Sequence, residues 1–523
     1  MDADVIVVGG GPVGLMLAGE LRLAGVRPLV LERHAEVGHS PNANGLGGQI
    51  VELLRYRGLL HRFAAVALDP DPEIPGYPFG GMHLDLSRLS DPPLKGLRLQ
   101  HPSVDRLLAE RAVELGAEIR HGHRVVGVEQ DDHAVTARVE GPDGTRSVTA
   151  RFLVGCDGAH SRVRGMAGIA FPGVTYPDVH RLAEVALHPS VTVHENGDLD
   201  VPGHGSVEAG FTRGEHGVFA MGSTGPGSLM VQTIEDEEGP ADDESPMTMA
   251  ELGASIRRVR GVDLPLGEPR RLSRYRHEAR QAETYRAGRV LLAGDAAHVL
   301  PATGIARSVG MLDAVNLAWK LGAEVRGRAP AGLLDSYHRE RRHAGARAML
   351  QSQAQVALRR GLDGAADALR ELFQELLQDE APSRRLAAMV SGSDVRYPPP
   401  GPGPGPGPGV GVGEGGRRHE LAGRFVPDLV LRGADGTTTS VAELLRRARP
   451  VLLVLADRPE LHDAVAGWRG RVEVHAATTD DRPADALLVR PDAHVAWAAA
   501  VGEPGTTAVP TLRESLATWF GAG

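Results

Sequence analysis

The sequence predicts an α/β protein in which a Rossmann-like dinucleotide-binding domain is interrupted by a sheet-rich domain and followed by a smaller α/β module. Three observations carry this. The chain opens on a strand, a glycine turn, a helix and a second strand; a buried strand in GRVLLAGDAAHVLPATG re-enters the first domain; and a proline–glycine run over 398–416 sets off the last hundred residues. At 523 residues the chain is too long for a single core, and two to four units are expected.

Composition narrows the class. Hydrophobic residues at 42% and charged residues at 24% are ordinary for globular proteins. A formal net charge of −10 argues against a nucleic-acid partner, whose phosphates demand a basic face. Cys156 is the single cysteine, so an intramolecular disulfide framework, a CxxC redox pair and a cysteine-rich metal site are excluded. No metal is expected, because none of the 22 histidines falls in a ligand spacing. The opening residues, with acids ahead of the apolar run and glycines inside it, read neither as a signal peptide nor as a membrane span. A cytoplasmic location is the expectation.

Taken in order, Val5 to Val8 form a β-branched strand, LMLAGELRLAG repeats its apolar residues at helical spacing, and PLVLER resumes as a strand. From Pro102, VDRLLAERAVELGAEI reads as an amphipathic helix ending at Gly116, before hairpin strands around Asp143-Gly144 lead into GCDG. Short strands broken by Gly, Pro and His fill Phe171 to Arg271, with a mobile acidic loop expected from Glu235 to Pro246. Long helices follow the second buried strand. The expected domains are 1–175 with 272–397 for the dinucleotide, 176–271 with parts of 70–100 for substrate, a 398–416 linker, and 417–523 at the C-terminus.

The chemistry begins in GGGPVG. Gly9, Gly11 and Gly14 match G-x-G-x-x-G: the first allows the tight turn, the second lets backbone approach a pyrophosphate, and the third lets helix pack on strand. The helix N-terminus that follows is an anion site. Glu32, ending the second strand, is placed to accept hydrogen bonds from a ribose 2′-hydroxyl. Two further segments are ambiguous alone: GCDGAHSRVRG reads equally as an Asp-Gly turn with a capping serine, and the Gly-Asp ending GRVLLAGD as an ordinary helix cap.

Together and in this order, the three segments resemble those of class A FAD-dependent aromatic hydroxylases, and RPDAHVAW in the trailing region resembles the thioredoxin-like C-terminal domain of the subgroup acting on polyketides and phenols. The resemblance implies a GR2/PHBH-type FAD-binding domain, a sheet-rich substrate domain and a thioredoxin-like C-terminal domain. It implies FAD as cofactor, NADPH or NADH as transient donor, dioxygen as co-substrate, and a polycyclic aromatic small molecule hydroxylated through a flavin C4a-hydroperoxide between the first two domains. Carried over residue by residue, the FAD contacts are Gly9, Gly11, Pro12, Val13, Gly14, Glu32, Arg33, Asn42, Gln100, Val125, Asp157, Gly158, Arg164, Gly294, Asp295, Pro301, Gly304, Ile305 and Ala306.

Departures accompany the likeness. GIARSVG stands where relatives carry a GGQGLN-type run, so Arg307 either joins the positive field around the flavin or points to solvent. Asn42 stands near a position where relatives commonly carry arginine, and Gln100 or His101 corresponds to a flavin-contacting glutamine. No catalytic residue is assigned; His101, His204, Arg213 and Arg307 are candidates, and Tyr77 and His83 are placed by position toward the substrate cavity. The departures keep a second function open: Baeyer–Villiger oxidation, dehydrogenation or non-redox tailoring of an aromatic polyketide. A third class, a binding module, is suggested by the C-terminal region, whose simplest role is packing or homodimerisation.

Overall fold

The computed structural model describes residues 1–36, 45–99, 101–194, 197–203, 205–225, 227–236, 245–301, 304–361, 363–399 and 418–523. Its first sheet runs Arg286–Ala287, Val290–Leu292, Phe152–Gly155, Val5–Val8, Pro28–Leu31, Glu118–Arg120, and all neighbours are parallel except the first pair. Strands covered on both faces must be apolar throughout. VIVV, PLVL, FLVG and VLL are accordingly buried at every position.

The second sheet is antiparallel and has six strands in the order Gly210–Gly214, Gly217–Gly225, Ser228–Asp236, Gly173–Ala186, Pro269–Gln281, His298–Val299. Its last strand follows directly on the Gly294–Ala296 turn, so the two sheets are joined at one point of the chain. The acidic segment departs from expectation. Glu235 and Asp236 complete a strand, because buried Glu235 is matched by Arg181, Arg258 and Ser255; residues 237–244 lie outside the described ones. The hairpin at Asp143-Gly144 forms as expected between Val135–Gly141 and Gly144–Ala150.

At the C-terminus a four-stranded sheet runs Glu473–Ala476, Val451–Val454, Ala486–Val489, Val495–Ala499. The first pair is parallel and the rest antiparallel, with helices Pro459–Ala464 and Gly505–Phe520. The region is thus a parallel unit followed by a hairpin and a helix. The sequence suggests a separate unit, with its linker largely outside the described residues, but the apolar core does not stop there. Val426, Leu431, Leu445, Leu453 and Val495 belong to the same buried cluster as Val5, Leu17 and Leu153.

Charge is buried at the same junction. Lys320 donates to Glu340 at 2.7 Å, Arg490 of the C-terminal region holds Glu340 through both nitrogens at 2.6 and 2.8 Å, and Asn316 bridges Glu340 and Asp492. Burial pushes Lys320 down to about 8 against the pull of Glu340. Buried ions of this kind stabilise only as a complete set. Glu340→Ala, which strands Lys320 and Arg490, should therefore lower stability by about 3–5 kcal/mol in chemical denaturation, whereas Glu340→Gln should cost less.

Candidate functional site

Three turns meet at one end of the parallel sheet, and glycines let them meet. A Cβ on Gly9 would lie 2.4 Å from the Cys156 carbonyl oxygen, and one on Gly14 would lie 2.0 Å from that of Gly9. On the other side, a Cβ at Gly310 would stand 2.8 Å from Gly294 Cα, and one at Gly294 2.8 Å from Val13 Cγ2. The glycine turn, the Asp157-Gly158 turn and the Gly294-Asp295 turn are thus in direct contact.

Gly11 is different. Its φ of −79° suits any residue and a Cβ there would meet nothing within 4 Å, so no protein neighbour demands a glycine. It is also the N-cap of the helix Pro12–Leu23, with no side chain capping it. Uncapped amides beside an open face are what a pyrophosphate requires. Glu32 is held for a partner: its Oε2 accepts from the Gly10 N–H at 2.6 Å and its Oε1 from that of His34 at 2.8 Å, fixing the carboxylate at the edge of the same opening.

Around Asp157 the interactions are internal. Its carboxylate accepts from Ser161 at 2.5 Å and from the Val163 N–H at 3.1 Å. Arg164 donates to the carbonyls of Ala159 and Ala296 and lies 3.7 Å over the Phe171 ring, tying this turn to the next. Gly158, at φ +83°, borders open space. The carboxylate of Asp295, by contrast, has no protein donor among the described residues, and burial raises it above the usual carboxylate range against the pull of His298 and Arg307. Pro301 and Ile305 are buried, Gly304 takes φ +78° beside open space, and half-buried Ala306 begins the long helix Ala306–Val325, again with no side-chain cap. Val13 is half-buried; Val125 is buried in a strand, and Arg33 is exposed and reaches its neighbour His34. Asn42, Gln100 and His204 lie outside the described residues; His101 begins the helix His101–Glu114.

Arg307 does not point to solvent. Burial lowers its pKa, against the field of Asp105 and Asp295. Asp105, 1% exposed and with no hydrogen-bond partner for its Oδ1 among the described residues, is pushed up to about 6 by burial and by Glu32, although Arg307 opposes it. Sequence reasoning missed Asp105 and also Asp313, whose Oδ2 accepts from the Gly294 N–H at 3.0 Å and from His298 at 2.8 Å while its Oδ1 accepts from Arg341 at 2.7 Å. The available signal was an acid inside an apolar helical run, GMLDAVNLAW.

A cavity of about 660 Å³ lies between the second sheet and the end of the helix Asp335–Arg360. His180, His277, Phe211, Arg213, Val356 and Arg359 line it. Arg213 was expected here; it donates to the Leu358 and Gly361 carbonyls. Tyr77 sits behind it, with its hydroxyl pushed up to about 12 by burial and bonded to Gln355. His83 was misplaced: it is exposed on an edge strand, its ring against Gly76. Among the described residues Asp178, His180 and His277 have ligand atoms within 4.8 Å of one another. His180 is engaged on both ring nitrogens, with Asp178 at 3.1 Å and Gln232 at 3.0 Å, and Arg360 stands 3.2 Å from Asp178, while His277 Nε2 has no hydrogen-bond partner among the described residues. The arrangement is a hydrogen-bonded wall beside cations.

Comparison with known proteins agrees with this geometry. The family described as FAD binding domain matches residues 2–352, and that described as aromatic-ring hydroxylase, C-terminal, matches residues 419–523. The chain is 40% identical over 532 residues to the 12-dehydrotetracycline 5-monooxygenase/anhydrotetracycline 6-monooxygenase of Streptomyces rimosus, covering 100% of this chain and 99% of that one. It is 38% identical to the dialkyldecalin synthase of Streptomyces rugosporus, with coverage of 100% and 99%. Among solved structures, an anhydrotetracycline hydroxylase from Streptomyces rimosus superposes with a TM-score of 0.85 at 39% identity, each chain covered in full.

The buried carboxyl gives a pH test. Because the folded pKa of Asp105 stands above its unfolded value, its ionisation costs stability as pH rises from about 4 to about 6, and the cost is constant above that. Asp105→Asn should stabilise the cofactor-free protein by on the order of 2 kcal/mol at pH 7, an advantage that vanishes toward pH 4 in urea unfolding.

Proposed function

The chain belongs to the FAD-binding family of aromatic-ring hydroxylases, and from that premise we propose that it is an FAD-dependent monooxygenase hydroxylating a polycyclic aromatic polyketide or related phenolic compound. The observation that carries the assignment of its cofactor site is the opening at Gly11, a glycine that no neighbouring protein atom explains, facing an uncapped helix. Bound there, FAD supplies the electron transfer and oxygen activation that side chains cannot.

Each residue then has a part. The amides after Gly11, from Val13 and Gly14, take the pyrophosphate, and Glu32 takes the ribose. Asp295, with no protein donor among the described residues, takes hydroxyls of the ribityl chain. Pro301, Gly304, Ile305 and Ala306 border the flavin ring, and the N-terminus of Ala306–Val325 together with Arg307 favours negative charge there. Arg164 fastens the Asp157 turn to Ala296. NADPH or NADH serves as donor and binds transiently, since the Gly9 to Glu32 segment is committed to FAD. We place the enzyme in the cytoplasm, beside the reduced nicotinamide pool.

The cavity suits the substrate. Its volume of about 660 Å³ is that of a typical small-molecule site. His277 precedes Gln281, which pairs with His298, by four residues, so about 13 Å of strand separates the cavity wall from the cofactor turn. A fused-ring molecule is long enough to lie across that distance. Arg213, Arg359 and His277 offer donors to its oxygens; His277 is pushed down to about 2 by burial and by the neighbouring His180 and Arg359, so it acts as a neutral hydrogen-bonding group.

A second reading, in which the flavoprotein performs Baeyer–Villiger oxidation, dehydrogenation or non-redox tailoring, is favoured by the likeness to a dialkyldecalin synthase and by Arg307 beside Asp295. Product mass read together with ring connectivity by NMR separates them, since hydroxylation and Baeyer–Villiger oxidation each add one oxygen. One added oxygen with intact rings is expected; ring expansion, loss of two hydrogens or an unchanged mass would establish the second reading. Gly11→Ala should leave the fold intact, within about 0.5 kcal/mol in denaturation, yet abolish the visible flavin spectrum of the purified protein. Retention of stoichiometric FAD by that variant would refute the assignment of the site.

A further inference from the structure

We infer that Tyr397 and Arg341 are positioning residues through which the C-terminal region holds the Gly294–Asp295 turn in shape. The inference rests on the reading that this turn contacts FAD.

The connection is a chain of buried bonds. Arg341 donates through Nη1 to the Tyr397 hydroxyl at 2.8 Å, through Nη2 to the Val309 carbonyl at 3.0 Å and through Nε to Asp313 Oδ1 at 2.7 Å. The other oxygen of Asp313 receives the Gly294 N–H and His298. Tyr397, Arg341, Asp313 and His298 are 2%, 4%, 0% and 0% exposed, so solvent has little access to a broken link. Planar guanidinium geometry makes the direction of each bond matter: with three acceptors around it, Arg341 can rotate only by giving one up.

Tyr397 belongs to the C-terminal end of this chain of contacts. Its N–H donates to the Gly423 carbonyl at 2.8 Å, its carbonyl accepts from Arg418 at 3.0 Å, and its ring stacks on His494 with centroids 4.1 Å apart. Gly423 in turn donates to Val495 at 2.7 Å in the last strand of the C-terminal sheet. Among the described residues the phenol ring stacks on His494 and lies 5.3 Å from the Arg490 guanidinium, and its hydroxyl accepts from Arg341. A module without a dithiol pair thereby gains a role that needs no chemistry of its own: it fixes one oxygen atom, and that atom fixes a guanidinium, a carboxylate and a turn.

The test uses the full chain, freed of flavin and titrated with FAD by fluorescence quenching, with visible circular dichroism of the bound flavin as second readout. Tyr397→Phe removes one oxygen and keeps the stack on His494; it should weaken FAD binding roughly fivefold to tenfold and alter the flavin dichroism. Arg341→Lys, which keeps the charge but loses the fork, should do the same and serves if the first variant folds poorly. A merely structural role would lower the melting temperature of free and loaded protein equally and leave affinity and dichroism unchanged, and that result overturns the inference. Asp295→Asn separates the levels. If it weakens FAD while the Tyr397 and Arg341 variants do not, only the inference falls; if Asp295→Asn and Gly11→Ala both leave FAD affinity unchanged, the cofactor reading falls and takes the inference with it.

Discussion

The approach of backbone to backbone at the carboxyl end of the parallel sheet is the constraint from which the rest of this structure follows. Gly14 lies against the carbonyl of Gly9, Gly9 against that of Cys156, and Gly310 against Gly294, each at a distance that no Cβ can share. Three segments far apart in sequence can therefore converge, and two helices can begin within the same small volume. Convergent helix N-termini leave several N–H groups without intrahelical partners, and the site is chemically an anion receptor before any side chain is considered.

Such a receptor needs rigidity, because donors that rotate away return to solvent. The rigidity comes from buried ions. Asp313 draws on Gly294, His298 and Arg341, and the first two place the cofactor turn at the point where the chain passes into the second sheet. Burial opposes the charge on Asp313, but His298 and Arg341 outweigh it and keep the carboxyl below its usual range. A charged acceptor bonded on both oxygens is worth more in position than a neutral one, and is more costly to disturb. The substrate sheet is consequently hung from the cofactor site at a fixed register, with Gln281 opposite His298.

Much of this was legible in the sequence because periodicity and glycine spacing are local. The strand–turn–helix at Gly9 to Glu32, the helix after Pro102, the Asp143-Gly144 hairpin and the second buried strand all declare themselves within a dozen residues. What escaped was pairing across distance. Glu235 looked like the start of an acidic loop because nothing nearby in sequence announces Arg181 and Arg258. His83 was assigned by position along the chain, yet the side of an edge strand that faces a cavity is fixed by register, which the sequence does not print. The continuity of the core into the C-terminal region was likewise hidden, since a proline–glycine run says where chain is solvated and nothing about what packs on either side.

The departure at Arg307 can be placed in the same terms. At this end of the sheet Asp105 feels Glu32 and Arg307, Asp295 feels Arg307, and burial disfavours the charge of Asp105, Asp295 and Arg307 alike. A neutral residue in place of Arg307 would leave Asp105 and Asp295 with a weaker opposing field, and their carboxyls would rise further toward the protonated form. Arg307 therefore acts as the counter-charge that opposes the burial-driven rise of Asp105 and Asp295. It lies in the second position of a helix whose own N-terminus is positive, so the two sources of field add and are not redundant.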